Sequence, residues 1–243
     1  MNNQKIGIIG CGFVGATIAY TLVSSGMFSE IVLIDIDEKR AAGEAMDLAH
    51  CLPFISPMQI YAGDYKDLAD ASIVVITAGA NQKEGETRLD LACKNAKITA
   101  DIVERISAVN RDCILLMVAN PVDILTKAAL CTSHFPPSRV IGSGTVLDTA
   151  RLKFLVGERL GVDSRNVHTF IIGEHGDSEL AVWSSANVSG LDMKDYCGVS
   201  DGKCRTYGDI TGMFDYVKNS AYEIIRGKGA TYYAIAQAVA RII

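Results

Sequence analysis

Short apolar runs alternate with stretches of helical spacing along the first 142 residues. Most positions in each run are apolar, which is typical of strands that are buried on both faces of a sheet. The runs cover residues 5–9, 31–34, 59–62, 72–78, 113–118 and 139–141. Strands that alternate with helices in this way indicate a doubly wound parallel sheet. The sequence therefore predicts an α/β domain over residues 1–142.

Residues 143–243 predict a second domain that mixes helices with strand. Helical spacing over residues 146–160 ends at Gly161, and residues 167–172 predict a strand that runs into a polar loop. Two further helical patterns cover residues 218–227 and 232–243, and the second of them meets no Gly or Pro stop. We therefore expect an α+β fold for this part of the chain.

The turn after the first predicted strand has the glycine spacing of a Rossmann dinucleotide-binding loop. Gly10 suits the tight turn, Gly12 lets the backbone approach a pyrophosphate, and Gly15 lets the following helix pack closely on the strand. The N-terminus of that helix supplies unpaired N–H groups and a partial positive charge. We expect Phe13 and Val14, which lie between these glycines, to contact the same ligand.

Polar and turn residues follow the next strands of the predicted sheet. Asp35 ends the second strand twenty residues after Gly15, where a carboxylate can bind a ribose and repel a 2′-phosphate. This position favours NAD over NADP. Three more candidates for cofactor binding, Thr77 to Gly79, lie at the end of the fourth strand. The alternative is a glycine turn beside an incidental carboxylate.

The amino-acid composition of the chain argues against several classes of binding partner. The chain has 243 residues, 49% of them hydrophobic, and a net charge of -5 without a basic stripe, so we expect no nucleic-acid partner. We find no apolar run long enough to span a membrane and no secretion signal. The seven cysteines form no CxxC pair, which favours a reducing cytoplasm. The four histidines are scattered, so we expect no metal site.

Three charged or titratable side chains are candidates for catalysis. His175 lies in the sequence GEHGDS, where glycines permit close approach of another molecule and imidazole can exchange a proton near neutrality. Asp148 and Arg151 are three residues apart and share a helix face. They could form a surface ion pair. They could instead act together, Arg151 binding a substrate carboxylate and Asp148 orienting a histidine.

Eight ordered segments of residues 5–236 resemble the NAD-dependent L-lactate dehydrogenases of the lactate/malate dehydrogenase superfamily. They are GCGFVGA from Gly10, the ID pair ending at Asp35, GEAMDLAH from Gly43, TAGANQKEGETRLDL from Thr77, ANPVDIL from Ala119, GSGTVLDTARL from Gly142, IIGEHGDSEL from Ile171 and GKGATYYAIA from Gly227. The resemblance implies a Rossmann domain that binds NAD, followed by a catalytic domain. The activity it implies is reversible hydride transfer from NADH to pyruvate, giving L-lactate.

The resemblance also implies a role for each matching residue. His175 would exchange the proton with the substrate while Asp148 holds its ring. Arg88 would polarise the carbonyl oxygen when the loop before it closes, although on residue type alone it could be a solvated cation at a helix start. Arg151 would bind the carboxylate. Asn120 would position cofactor and substrate, and Thr231 would line the substrate pocket.

Gln82 separates the nearest alternatives within the superfamily. Malate dehydrogenases place an Arg at this position to pair with a second carboxylate, whereas a neutral Gln leaves room for a methyl group. The resemblance therefore favours pyruvate over oxaloacetate. The remaining alternatives are a malate or other 2-hydroxy acid dehydrogenase, and an inactive fragment that binds NAD.

Other expectations follow from the resemblance alone. Bacterial members are often activated by fructose 1,6-bisphosphate through a cation and a histidine whose positions here are Lys153 and His168. Lys stands where the family usually has Arg, so we expect a weaker response; the alternative is an exposed Lys and His without an effector. A homotetramer that acts in glycolysis and fermentation in the cytoplasm is implied as well.

Chains of this family continue past the position of Ile243, so the resemblance implies that the C-terminal part of the second domain is missing from this sequence. The sequence is compatible with a shortened gene product, an incomplete record, an engineered fragment or a chain whose missing surface is supplied by a partner. The loss of this C-terminal part should expose apolar faces that it would have covered, including parts of residues 232–243, and so lower the stability of the chain.

Overall fold

The computed structural model describes residues 2–80, 85, 87–199 and 207–243. The chain forms two compact units, the first made of residues 1–143 and 232–243 and the second of residues 144–231. Within the described ranges, no helix combines the length and apolar character needed to cross a membrane.

A six-stranded parallel sheet forms the centre of the first unit. Its strands are β1 (Asn2–Ile9), β2 (Glu30–Ile34), β3 (Gln59–Ala62), β4 (Ala71–Ile76), β5 (Ile114–Met117) and β6 (Val140–Gly142). The helices between them include α1 (Phe13–Ser25), α2 (Glu38–Ala49), α3 (Arg88–Val109) and α4 (Val122–Ser133). All six predicted strands are present, which confirms the predicted doubly wound sheet.

The strand order β3-β2-β1-β4-β5-β6 reverses direction between β1 and β4. The apolar runs form strands here because both faces are covered, so that Ile6 and Ile8 of β1 are completely buried. Ligands of such sheets bind outside the carboxyl ends of the strands at the point of reversal. In this chain Gly10 follows β1 and Thr77 follows β4, so the glycine loop lies at that point.

The second unit combines helices with short antiparallel strands. Its elements are α5 (Val146–Leu160), β7 (Val167–His168), β8 (Ile171–Ile172), β9 (Leu180–Ala181), β10 (Asn187–Val188), β11 (Leu191–Asp192), α6 (Met193–Val199), α7 (Tyr207–Thr211) and α8 (Phe214–Lys228). Helix α5 has the predicted bounds and ends at Gly161, whose φ of 65° is in the left-handed region. Leu152 and Val156 of α5 are fully buried in the core of this unit.

The single strand predicted over residues 167–172 is wrong, because the segment changes pairing partner in its middle. β7 pairs with β10, whereas β8 pairs with β9. Between them the Thr169 hydroxyl donates to the Val182 carbonyl, and the Val182 N–H donates to the Phe170 carbonyl. The chain therefore leaves one sheet and joins another within four residues. The helix predicted over residues 218–227 also begins earlier, at the start of α8.

Residues 232–243 pack with the first unit, although the sequence assigned them to the second domain. They form α9 (Tyr233–Ile242), whose Ala236 and Val239 are fully buried in one core cluster with Ile18 and Leu22 of α1. Two buried positions three residues apart lie on one helical face, and this face covers α1. The helix that follows the glycine loop is therefore covered by a late segment of the chain.

Candidate active site

The glycine loop of the first unit has the shape that its spacing predicts. Gly10 has a φ of +99°, and a Cβ at this position would lie 2.7 Å from the Ala78 nitrogen. A Cβ on Gly15 would lie 1.8 Å from the Gly10 carbonyl oxygen, so neither glycine tolerates a side chain. A Cβ on Gly12 would meet nothing within 4 Å. The backbone is therefore packed on its inner side and open at Gly12, as the approach of a pyrophosphate requires.

The start of α1 offers an anion site beside this loop. Gly12 precedes the helix without a side-chain cap, and an α-helix leaves its first N–H groups without intrahelical partners. These groups and the helix dipole favour a phosphate. Phe13 is exposed at the same helix start and Val14 is half-buried.

Asp35 holds its carboxylate against the glycine loop. One oxygen accepts from the Cys11 N–H at 2.6 Å and the other accepts from the Asp37 N–H at 2.9 Å. A carboxylate can accept about four hydrogen bonds, so these two leave room for ribose hydroxyls. The glycine loop, the helix start and Asp35 together fit a dinucleotide with an unphosphorylated adenosine ribose.

The end of β4 is fastened to this cradle by a side chain and by a backbone hydrogen bond. The Thr77 hydroxyl donates to the Gly10 carbonyl at 2.8 Å, which ties the end of β4 to the glycine loop. Ala78 donates its N–H to the Ile9 carbonyl, and Gly79 follows it toward the site.

Asn95 is a polar residue of this region that we did not predict. Its side chain accepts from the Ala80 N–H at 2.8 Å and donates to the Asn120 carbonyl at 3.0 Å. Asn95 is 2% exposed and therefore bridges the segments after β4 and β5 from inside. The sequence held one signal for this role, because Asn95 is a polar residue among the buried positions of α3, which include Ala92 and Ile102. Asn120 itself is exposed.

In the second unit, His175, Asp148 and Arg151 form one cluster. The Nδ1 atom of His175 lies 2.6 Å from one oxygen of Asp148, and Arg151 donates to the other oxygen at 2.8 Å. The side chain of Asp148 is 3% exposed and that of Arg151 is 14% exposed. The alternative of a surface ion pair is therefore wrong. The structure unites an imidazole, a buried carboxylate and a guanidinium, a combination suited to proton exchange beside a bound anion.

Hydrogen bonds between α5 and β8 bring His175 to Asp148. The Thr145 hydroxyl donates to the Ile171 carbonyl at 2.6 Å, and the Ile171 N–H donates to the Thr149 hydroxyl at 2.9 Å. After β8 the chain turns at Gly173, whose φ is +97°, which favours glycine. The loop is thus fastened to the helix that carries its carboxylate partner.

The electrostatics of the cluster favour a charged imidazole. The hydrogen bond with Asp148 raises the pKa of His175 above its ordinary value, although burial opposes this. Burial would raise the pKa of Asp148, but the hydrogen bonds and charges of His175 and Arg151 lower it. The raised pKa of His175 and the lowered pKa of Asp148 have one cause, because a buried anion and the cations that contact it stabilise each other's charge.

Glu179 is a second buried acid in this region that we did not predict. It is 5% exposed, and burial together with the Asp148 charge raises its pKa to about 6. Glu179, Asp148 and His175 offer possible ligand atoms within 4.8 Å of one another. Both oxygens of Asp148 already bind cationic partners, and the Arg151 charge opposes a metal ion, so we interpret the group as an acid/base cluster.

The cluster lines a pocket of about 100 Å³. Asp148, Arg151 and His175 form one side of it, and Val217, Lys218 and Tyr222 of α8 form another. A pocket that joins a few convergent polar groups to apolar walls is the usual form of a small-molecule site.

The other predicted residues are less defined. Gln82 lies outside the described residues, as does the side chain of Arg88, whose backbone begins α3. Thr231 is half-buried and lies in the segment of chain that joins α8 to α9. Lys153 is half-buried on α5, and His168 is exposed in β7.

Two family profiles match the chain from near its first residue to its last. The profile described as lactate/malate dehydrogenase, NAD binding domain, matches residues 4–142. The profile described as lactate/malate dehydrogenase, alpha/beta C-terminal domain, matches residues 145–243. The chain belongs to the lactate/malate dehydrogenase family. It is a member of a family of NAD-dependent oxidoreductases, and NAD is the cofactor that the glycine loop and Asp35 fit.

Two similar relatives are both named L-lactate dehydrogenase. The L-lactate dehydrogenase of Acetivibrio thermocellus is 56% identical over an alignment that covers 100% of this chain and 78% of the relative. The L-lactate dehydrogenase 1 of Clostridium acetobutylicum is 51% identical over 99% of this chain and 77% of the relative. The chain is therefore shorter than these two members of the family.

Two solved structures of the family superpose on all of this chain and on 77% of their own lengths. MGS-M5, a lactate dehydrogenase from a Medee basin deep-sea metagenome library, gives a TM-score of 0.96 at 49% identity. The minor L-lactate dehydrogenase of Enterococcus mundtii, in its ligand-bound form, gives a TM-score of 0.94 at 44% identity. The fold of this family member is therefore shared over its whole described length.

Replacing Asp35 with Ser should weaken NADH binding and reduce discrimination against NADPH. The substitution removes a charged acceptor for the ribose hydroxyls, so we expect the Kd for NADH to rise about tenfold. The Kd for NADPH should fall relative to that for NADH, because a 2′-phosphate no longer meets a carboxylate. Titration of cofactor fluorescence measures both constants. Glu38→Gln, which neutralises an exposed acid at the start of α2, is the control; equal effects of the two substitutions would contradict the prediction.

Proposed function

We propose that this chain catalyses the reversible reduction of pyruvate to L-lactate with NADH. The observation that carries the proposal is the cluster in which buried Asp148 holds the His175 imidazole and Arg151 at once. The names of the close relatives support pyruvate as the substrate. Residues 1–142 are proposed as the NAD domain and residues 143–243 as the substrate domain, despite the packing of α9.

His175 acts as the proton donor to the substrate carbonyl oxygen. Its Nδ1 is held by Asp148, so the proton is exchanged at Nε2. The raised pKa keeps the imidazole protonated when pyruvate binds, and Asp148 stabilises that charge. The glycine loop and Asp35 would hold NADH, which would supply the hydride for the carbonyl carbon. In the reverse direction the neutral imidazole removes the proton from the lactate hydroxyl.

Arg151 binds the substrate carboxylate. A guanidinium has five N–H donors, and the contact with Asp148 uses only one nitrogen of the fork, Nη1. The other donors can hold two carboxylate oxygens side by side. Arg88 is proposed to polarise the carbonyl oxygen, while Asn120 and Thr231 position the substrate.

The test is NADH consumption by the purified 243-residue chain, with pyruvate and oxaloacetate compared side by side. Faster turnover of pyruvate supports the proposal. Faster turnover of oxaloacetate supports a malate dehydrogenase instead. NADH binding without turnover of either acid, or of longer 2-oxo acids, supports an inactive NAD-binding chain.

Gln82→Arg should move the preference of the chain toward oxaloacetate. An Arg at this position adds a cation for the second carboxylate of oxaloacetate, and a hydrogen bond between charged groups is worth about 2 kcal/mol. We expect the ratio of kcat/KM for oxaloacetate to that for pyruvate to rise at least tenfold. Initial rates with both acids measure this ratio. Gln82→Asn, which changes size and keeps the neutral amide, is the control; an unchanged ratio in Gln82→Arg would refute the role of Gln82.

Lys153 and His168 are proposed to bind fructose 1,6-bisphosphate in a cytoplasmic homotetramer. A Lys cannot form the planar fork of an Arg with phosphate, so we expect activation that needs a high effector concentration. Added bisphosphate should lower the KM for pyruvate in the wild type and leave it unchanged in Lys153→Ala. Light scattering on the same samples measures the oligomeric state. A KM that does not respond to bisphosphate in the wild type would exclude the effector site.

A further inference from the structure

Glu179 is a buried acid that the proposed reaction does not use. The residue is 5% exposed, and its Oε2 atom is buried without a hydrogen-bond partner among the described residues. Its carboxyl group lies within 4.8 Å of ligand atoms of Asp148 and His175. Burying a carboxyl group with an unpaired oxygen destabilises a protein, so such a group calls for a functional explanation.

We propose that Glu179 is a positioning residue whose buried carboxylate adds a second negative charge beside the His175 imidazole and so sets the pH range in which that imidazole is protonated. The inference rests on the proposed function, because the charge of His175 matters to turnover only if His175 exchanges the proton.

Ionisable groups from three elements lie around Glu179. The helix α5 contributes Asp148 and Arg151, the loop after β8 contributes His175 and Asp177, and α8 contributes Lys218 and Tyr222. Arg151 binds Asp148, and Lys218 donates to the backbone carbonyl of Asp177. An imidazole is the cationic side chain that ordinarily changes its charge near neutrality, so His175 is the group of this cluster that a nearby carboxylate can influence in that range.

The charge of Glu179 itself changes near neutral pH. Burial and the neighbouring Asp148 raise its pKa to about 6. Above that pH the carboxylate is charged and raises the pKa of His175, whereas Arg151 lowers it. Below that pH Glu179 is neutral and its influence disappears. A variant without this charge should therefore differ from the wild type above pH 6 and converge with it at lower pH.

The first test is an NMR titration of the His175 ring, identified by the signal that is lost in His175→Gln. In Glu179→Gln we expect the pKa of His175 to fall by about one pH unit, since removing one charge at this distance in a partly buried site has an effect of that order. The control Glu174→Gln neutralises the exposed acid next to His175 in the sequence and should leave the titration unchanged. No shift in Glu179→Gln, or an equal shift in both variants, would overturn the proposal.

A second neutral variant, Glu179→Met, has an apolar side chain of similar length. It replaces Glu179→Gln in the titration if that variant does not fold. It should give the same shift, and a wild-type titration in every folded neutral variant would overturn the proposal. Glu179→Asp retains the charge and should restore the wild-type titration.

Kinetics separate this inference from the proposed function. In an active enzyme, Glu179→Gln should move the alkaline limb of kcat/KM for pyruvate to lower pH by the same amount as the NMR titration. A loss of packing alone would lower the rate without moving the limb. If the wild type does not turn over pyruvate, the proposed function fails, and the His175 titration still decides the role of Glu179.

Discussion

His175→Gln is expected to reduce kcat/KM for pyruvate by a factor of about 10² to 10⁴, the usual contribution of a positioned general acid. Glutamine can keep a hydrogen bond to Asp148 but cannot deliver a proton near neutral pH. The Kd for NADH should stay within about twofold of the wild type, because the nucleotide cradle consists of other residues. Initial rates and cofactor fluorescence provide the two measurements.

The matched control is His50→Gln, an exposed histidine that follows α2. It should retain wild-type rates, which would show that the loss in His175→Gln is local. The wild-type rate of pyruvate reduction should also fall as the pH rises through the raised pKa of His175, since only the imidazolium can donate. A His175→Gln variant with a wild-type rate would refute the acid role.

Arg151→Lys is expected to raise the KM for pyruvate about 100-fold, although the positive charge is kept. A single ammonium group cannot hold Asp148 and both oxygens of a carboxylate in the plane that a guanidinium provides. The lost hydrogen bonds to charged groups are worth about 3 kcal/mol together. Steady-state kinetics with varied pyruvate at saturating NADH measure the effect.

Arg159→Lys makes the same chemical change at an exposed position of the same helix and should leave the KM unchanged. The thermal unfolding of both variants shows whether the buried contact with Asp148 also supports the fold. A KM for pyruvate that is equal in Arg151→Lys and wild type would mean that another group binds the carboxylate.

The sheet could be predicted from the sequence because its strands are buried on both faces and are therefore continuously apolar. The division of residues 167–172 could not, since β7 and β8 each contain two residues and their partners lie farther along the chain. The pattern of α9 showed an apolar face but could not show which surface covers it. Pairing and packing depend on distant segments, whereas periodicity is local.

His175, Asp148 and Arg151 were predictable as candidates from the sequence, but the contacts that join them were not. Spacing placed Asp148 and Arg151 on one face of a helix. The approach of His175 depends instead on two threonine hydroxyls that hydrogen-bond to β8, one just before α5 and one within it. Glu179 lies in a run of polar residues, GEHGDSE, which suggests solvent exposure. Its burial arises from tertiary packing, which no local pattern reports.

Because α9 covers α1, the order in which the ribosome makes the chain affects how the chain folds. Ala236 and Val239 complete the core around Ile18 and Leu22 only after the ribosome has made all of residues 144–231. Until then the growing chain carries an apolar helix surface next to its glycine loop, exposed to chaperones and to other nascent chains. The nucleotide cradle therefore belongs to a folding unit that closes late, although most of its residues emerge first.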